Sequence, residues 1–350
     1  MTSSLVGSEM CIRDRLQGVQ FKEIPLLFST NNGNRTATDT HPMRGLLINK
    51  PYETGVNDFL EKSITLGIIS PSQDALRFYQ FLENQNSKIK KHNDKDNYII
   101  DYEGFFAIYG VSLSFPTPND NEWERINEPL IMGIKETAQQ IKQLICDSIV
   151  KISSTTRRKI IVIYIPQRWE PYTSYQLDGE SFDLHDYVKA FCAEKGIMSQ
   201  LIREKTINDT IQKCQIHWWL SLSFFVKSFR TPWILANTNN TTAFAGLGYS
   251  VENKKDINGH IVLGCSHIYS SNGEGLKYKL AKISNDKIQW RHKKPHLCYD
   301  DAYEFGKSIV NLFYESMNEL PKRVVIHKRT FYTDEEKQGI IDVSYTHLTQ

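Results

Sequence analysis

Apolar and polar positions divide the chain into recognisable elements. Residues 21–28 (FKEIPLLF) read as a strand, followed by a polar loop to Arg44. Residues 64–70 (ITLGIIS) fit a short apolar strand. Pro71 and Ser72 then open a helical spacing carried by Leu76, Phe78, Tyr79, Phe81 and Leu82. The Asn- and Lys-rich segment 84–97 reads as a solvated loop, and 105–115 as a strand stopped by Pro116 and Pro118. Over 134–152, Ile134, Ala138, Ile141, Leu144, Ile145, Ile149 and Ile152 recur at the spacing of an amphipathic helix. Residues 159–165 (KIIVIYI) are a near-continuous β-branched run. Such a strand has both faces covered, as in a parallel α/β sheet. A helix over 184–195 stops at Gly196, a strand follows at 197–202, and a helix over 209–230 ends at Thr231-Pro232.

Beyond a polar linker at 237–242 the pattern changes. Three runs, 243–250, 261–269 and 276–283, read as consecutive strands, with Asn258-Gly259 marking a hairpin turn between the first two. A helix over 301–319 and a strand over 323–328 follow. The first part, strand–helix–strand–helix, predicts a Rossmann-like layer. The second, hairpin strands followed by a helix and a returning strand, is the early order of an RNase H-like domain. The expected fold class is therefore α/β, with an N-terminal segment and first domain over 16–240 and a partial second domain over 241–341.

The 350-residue length agrees with two domains, and 40% apolar with 23% charged residues excludes a disordered or low-complexity chain. Residues 1–15 (MTSSLVGSEMCIRDR) have no clear period, and 342–350 (DVSYTHLTQ) is equally out of character. Both read as adapter-derived, non-native tails of the kind found on metagenomic reading frames; an ordinary frayed terminus is the plainer alternative. The uncharged run 104–117 is too short and polar to span a bilayer, and no secretory signal is visible. The six cysteines form no CxxC pair. A cytoplasmic protein without membrane attachment is expected.

Chemistry is sparse by motif. Gly246-Leu247-Gly248 starts like a dinucleotide fingerprint, but Val251 replaces the third glycine and a hairpin replaces the required helix. A second constellation says more. His185 and Lys189 are four residues apart on one helix, Gln200 lies in the next strand, and Lys227 lies in the last turn of the following helix. Two cations, an imidazole and an amide could hold a terminal phosphate by charge-assisted hydrogen bonds. Equally, His185 could be a surface histidine, Lys189 one solvated charge among several, and Lys227 a snorkelling lysine. The net charge of +2 hides an uneven distribution. Residues 277–294 hold seven cations (Lys277, Lys279, Lys282, Lys287, Arg291, Lys293, Lys294) against Asp286 alone, and Lys322, Arg323, Lys328 and Arg329 follow. Such a face suits phosphate backbones, and a solvated basic surface is the alternative. Asp300 and Asp301 read as helix caps.

Taken in order, YIPQRWEPY (164–172), FDLHDYVKAFCAEKGIMSQLIRE (182–204), WWLSLSFFVKSFRTPWIL (218–235), AFAGLGYS (243–250) and PKRVVIHKRTFYTDEE (321–336) resemble the MID and PIWI domains of a short prokaryotic Argonaute. MRGLLINKPYE, ITLGIISP and YEGFFAIYGV resemble the family's segment leading into MID, so the likeness runs through nearly all of 21–341. It implies a Rossmann-like MID domain followed by a truncated RNase H-like PIWI domain that should continue past Ile341. The family's guide 5′-phosphate positions match His185, Lys189, Gln200 and Lys227. Arg168, Tyr172 and Tyr175 lie in the loop resembling the one that stacks on the guide's first base, where aromatic rings are physically sensible; a plain polar loop is the alternative. Lys293, Lys294, Lys328 and Arg329 would grip nucleic-acid backbone. Slicing relatives use carboxylate-held metal ions, but the matching positions here are Gly248 and Arg329. Their neighbours Leu247, Tyr249, Lys328 and Thr330 are not carboxylates either. No catalytic residue, catalytic metal or enzyme activity is therefore expected, while Mg²⁺ at the guide 5′-phosphate is admitted. The resemblance implies a guide (RNA more than DNA), a complementary target DNA, and an APAZ-domain partner carrying a TIR or sirtuin-like effector that depletes NAD(P), or less often a nuclease, in antiviral defence. Two rival readings remain: an active guided nuclease, and an α/β protein unrelated to nucleic acid.

Overall fold

The computed structural model describes residues 23–53, 63–92, 98–155, 160–177, 179–236, 242–251, 261–269, 275–283, 289–291 and 294–347. At its centre lies the strand Ile160–Ile165, every residue of which is buried. It runs parallel to Ser63–Pro71 on one side, with Leu66 opposite Ile160, and to Met198–Arg203 on the other, with Val162 opposite Gln200. Ser63–Pro71 in turn pairs in parallel with Ser112–Ser114 and with Trp123–Ile126. Met198–Arg203 is thus an edge strand of this sheet.

Strand alternation divides the central side chains between two cores. Ile160, Val162 and Tyr164 pack with Phe78 and Phe81 of helix Ala75–Glu83 and with Trp218, Phe224 and Phe225 of helix Lys213–Lys227. Ile161, Ile163 and Ile165 pack with Ile141, Ile145 and Ile149 of helix Ile134–Thr155 and with Leu184 and Val188 of helix Leu184–Glu194. Helices on both faces explain why the central strand carries no charged residue. A small sheet of Leu26–Phe28, Ala37–Asp39 and Ile234–Leu235 stands beside this layer.

The second part is a four-stranded mixed sheet. Thr242–Val251 pairs antiparallel with Ile261–Tyr269, which pairs antiparallel with Gly275–Ile283. The returning strand Arg323–Lys328 lies parallel to Thr242–Val251, from Thr242 opposite Arg323 to Leu247 opposite Lys328. Helix Tyr299–Met317 covers the sheet by packing Ala302, Phe305, Ile309 and Phe313 on Ala243, Ala245 and Leu247. The expected mixed α/β class is what the chain adopts.

Several elements differ from expectation. Residues 105–115 are not one strand but a one-turn helix, Phe105–Tyr109, and a short strand, Ser112–Ser114. Gly104 and Gly110 bracket that helix at φ of 89° and 71°, a left-handed backbone that favours glycine. The aromatic helix starts at Lys213 rather than 209, because the Asp209 carboxylate accepts the Ile211 and Gln212 N–H groups at 3.0 and 2.8 Å and closes a turn first. Asp300 and Asp301 are not caps: Cys298 occupies the N-cap, and both acids sit in the first turn, where the helix dipole favours them. The strand expected from residue 21 covers Leu26–Phe28, and the Asn258-Gly259 turn falls outside the described residues. A final helix, Asp334–His347, had no periodicity to announce it. It crosses the boundary expected for the non-native tail, and Val343 is 2% exposed. Its Gly339 passes so close to helix Tyr299–Met317 that an added Cβ would lie 2.5 Å from the Tyr299 carbonyl oxygen.

Candidate nucleic-acid interface

Helix Leu184–Glu194 begins with Asp183 as N-cap, its carboxylate accepting the Asp186 N–H at 3.0 Å. His185 follows and is exposed, its Nδ1 3.2 Å from Asp186 Oδ1. One turn on, Lys189 is half-buried, and its Nζ donates to the Ser199 carbonyl at 2.5 Å and to Ser199 Oγ at 3.3 Å. Helix Lys213–Lys227 packs on the opposite face of the sheet and delivers Ser223 and Lys227, again one turn apart. Both donate to Gln200 Oε1, Ser223 Oγ from 2.9 Å, while Gln200 Nε2 donates to the Leu201 carbonyl at 3.0 Å. Two lysines from helices on opposite faces therefore converge where only an edge strand separates them.

The electrostatics of this cluster are unbalanced. Burial pushes the Lys227 ammonium down from 10.5 to about 8, and the charge of Lys189 adds to the displacement. Burial also lowers Lys189. No carboxylate acts on either ammonium to offset this among the described residues. Two half-buried cations beside one amide are chemically suited to an anion, which would offset their burial and mutual repulsion. Three of the four residues expected at the phosphate site are thereby joined, and His185 stands one turn from Lys189. His185 also borders a 220 Å³ cavity at the C-terminal ends of the two parallel strands, with Ile165, Thr173, Leu201, Arg203 and Thr206. Sequence reasoning missed Ser199 and Ser223, because single serines carry no spacing signal.

The loop after the central strand is tightly held. Arg168 bridges Asp74, at 2.5 Å, and Glu128, and Trp169 Nε1 donates to Glu128 at 2.9 Å. Burial works to lower the Arg168 pKa, but the hydrogen bonds its guanidinium donates to Glu128 and Asp74 raise it above the usual value. Tyr172 packs into the core beside Trp169. Tyr175 stacks on Phe182 at 5.3 Å, and its hydroxyl accepts from Gln139 at 3.1 Å. Arg168, Tyr172 and Tyr175 thus share one loop region, and each is already engaged with protein.

In the second part, the register sets Leu247 against Lys328, so Gly248 and Arg329 follow at the same end of adjacent strands. Both are exposed. Lys328 departs from its expected place on the nucleic-acid surface. Its side chain is 1% exposed and paired with Glu336, which also accepts the Leu297 and Thr333 N–H groups at 2.9 Å each. A buried carboxylate needs a buried cation, and that demand draws Lys328 inward. Lys294 is exposed, and Lys293 lies outside the described residues.

Asp183, His185 and Asp186 offer three donor atoms within 4.8 Å of one another, all exposed. Capping accounts for Asp183, and first-turn placement for Asp186. The lysine cluster itself does not fit a cation: it presents two ammoniums and one amide oxygen already holding two donors. Among the described residues no helix is long and apolar enough to cross a membrane.

A parallel sheet clothed by helices, followed by a mixed sheet with a returning strand, defines a mixed α/β protein whose parallel-sheet edge carries two half-buried lysines. No family model and no curated protein matches the chain. Solved structures do match, and Argonaute proteins are among them. The A. aeolicus Argonaute is 16% identical, with a TM-score of 0.55 over 95% of this chain and 39% of that one. The same Argonaute with externally bound siRNA is 16% identical, at 0.53 over 95% and 39%. Drosophila Piwi is 10% identical, at 0.55 over 94% and 36%. The chain has a MID/PIWI-like fold and spans about two-fifths of the length of the Argonautes it matches.

Proposed function

We propose that this chain is the guide-binding portion of a short prokaryotic Argonaute. It holds the 5′-phosphate of a guide, RNA in preference to DNA, with His185, Lys189, Gln200 and Lys227. The observation that carries this reading is the pair of half-buried lysines on which no carboxylate acts among the described residues. A guide phosphate would supply the missing anion and draw charge-assisted hydrogen bonds from both ammoniums. Because the lysines provide the countercharge, no step of this reading runs through Mg²⁺. Base pairing of the guide would read the complementary target DNA while the protein grips backbone, with Lys294 and Arg329 on the exposed surface. Gly248 and Arg329 cannot hold metal ions, so the bound target is not cut. Its recognition would instead activate an APAZ-domain partner whose TIR, sirtuin-like or nuclease effector acts in antiviral defence.

Guide binding supplies the test. One RNA is offered with a 5′-phosphate or a 5′-hydroxyl to wild type, Lys189→Ala and Lys227→Ala, and affinity is read by fluorescence anisotropy. Wild type should prefer the phosphorylated end at least tenfold, and each variant should lose most of that preference. Equal affinities throughout would remove the phosphate site. Target cleavage in Mg²⁺ or Mn²⁺ would overturn the non-cleaving assignment and favour a guided nuclease.

A further inference from the structure

We propose that Ser223 is a positioning residue of the anion cluster, fixing the Gln200 amide so that its N–H edge faces the bound phosphate. The inference rests on the phosphate-site reading above. Ser223 lies one turn before Lys227 on the same helix face. Its hydroxyl donates to Gln200 Oε1 at 2.9 Å, and the Lys227 ammonium donates to the same oxygen. An ammonium has donors only, so the amide must turn its oxygen, not its nitrogen, toward Lys227. The two donors together occupy both lone pairs of that oxygen. The amide nitrogen is thereby directed the other way, where it gives one N–H to the Leu201 carbonyl at 3.0 Å and keeps a second for a ligand.

A phosphate changes this balance. It draws the Lys227 ammonium toward its own oxygens, and Ser223 then carries the orientation of the amide. The last torsion of glutamine is broad and roughly two-fold. Without the serine hydroxyl, the amide can present its oxygen to the phosphate, which repels, as readily as its nitrogen, which binds. Alanine is the better helix former, so removing the hydroxyl leaves the helix intact.

The test uses the full 350-residue chain and one RNA oligonucleotide carrying either a 5′-phosphate or a 5′-hydroxyl. Ser223→Ala should lower the phosphate preference about three- to tenfold, the range expected for one hydrogen bond. It should leave 5′-hydroxyl affinity and the melting temperature unchanged. Ser223→Thr, which restores a hydroxyl, should restore the preference. In a Gln200→Ala background, Ser223→Ala should have no further effect, because the serine acts through that amide. A Ser223→Ala protein with undiminished preference overturns the proposal while sparing the phosphate site, as does an equal loss for both guides or an undiminished effect in the Gln200→Ala background. A wild type without any preference overturns both.

Discussion

Replacing Lys227 by Met should stabilise the guide-free protein and abolish its selectivity for a phosphorylated end. At pH 7 the lysine is charged in folded and unfolded chains alike, but folding carries its ammonium into a half-buried site beside Lys189. The folded pKa of about 8, against the ordinary 10.5, measures that penalty. At about 1.4 kcal/mol per pH unit it corresponds to about 3 kcal/mol. The ammonium is partly open to water, and screening reduces this to about 2 kcal/mol. Methionine keeps the packing of the stem but loses the hydrogen bond to Gln200, about 1 kcal/mol. The expected net gain is about 1 kcal/mol at pH 7. The sign of the pH dependence follows from linkage. Between about pH 8 and 10.5 the unfolded chain holds a proton at this site that the folded chain has released, so the lysine's penalty fades as pH rises. Urea denaturation at pH 7.0 and 9.5 checks both points: wild type should gain stability relative to Lys227→Met at the higher pH. A variant that is less stable at pH 7 and follows the same pH slope as wild type would refute the argument.

Two further substitutions probe the interior. His217 is fully buried beside Phe81 and Tyr102, neither ring nitrogen has a hydrogen-bond partner, and burial pushes its pKa down to about 4. Stability should therefore be lost as pH falls from about 6.5 toward 4, by up to about 3 kcal/mol. His217→Leu should flatten that loss in denaturant titrations, and an unchanged acid slope would count against it. Lys328→Ala should cost about 3–5 kcal/mol by taking the buried ammonium from Glu336 and leaving it His296 and two backbone N–H groups, whereas the paired Lys328→Met/Glu336→Leu should recover most of this. Thermal melts of the three proteins decide, and a single variant melting like wild type would mean that His296 and the backbone N–H groups suffice for Glu336.

Much of the first part was legible because its elements are strongly periodic. The run 159–165 could only be a strand covered on both faces, and the isoleucine spacing of 134–152 could only be a helix lying on one of them. The mistaken strand at 105–115 lacked such a period. There, two glycines in the left-handed region set the local path, which an apolar run does not reveal. The final helix, Asp334–His347, went unread because its sequence has no strong apolar stripe. It is held instead by a close glycine crossing with its neighbour and by the buried Val343.

The sequence by itself determined the α/β class, the order of the main elements, and the residue types able to meet an anion. Spacing alone put His185 and Lys189 on one helical face. The tertiary structure decided which charges are available. Lys189 and Lys227, 38 positions apart, become mutually repelling neighbours because their helices cover opposite faces of a sheet and meet at its edge strand. Lys328, indistinguishable in sequence from the exposed Arg329 beside it, is withdrawn to neutralise Glu336. Burial and the nearest opposite charge set a lysine's role, and both depend on contacts between segments distant along the chain.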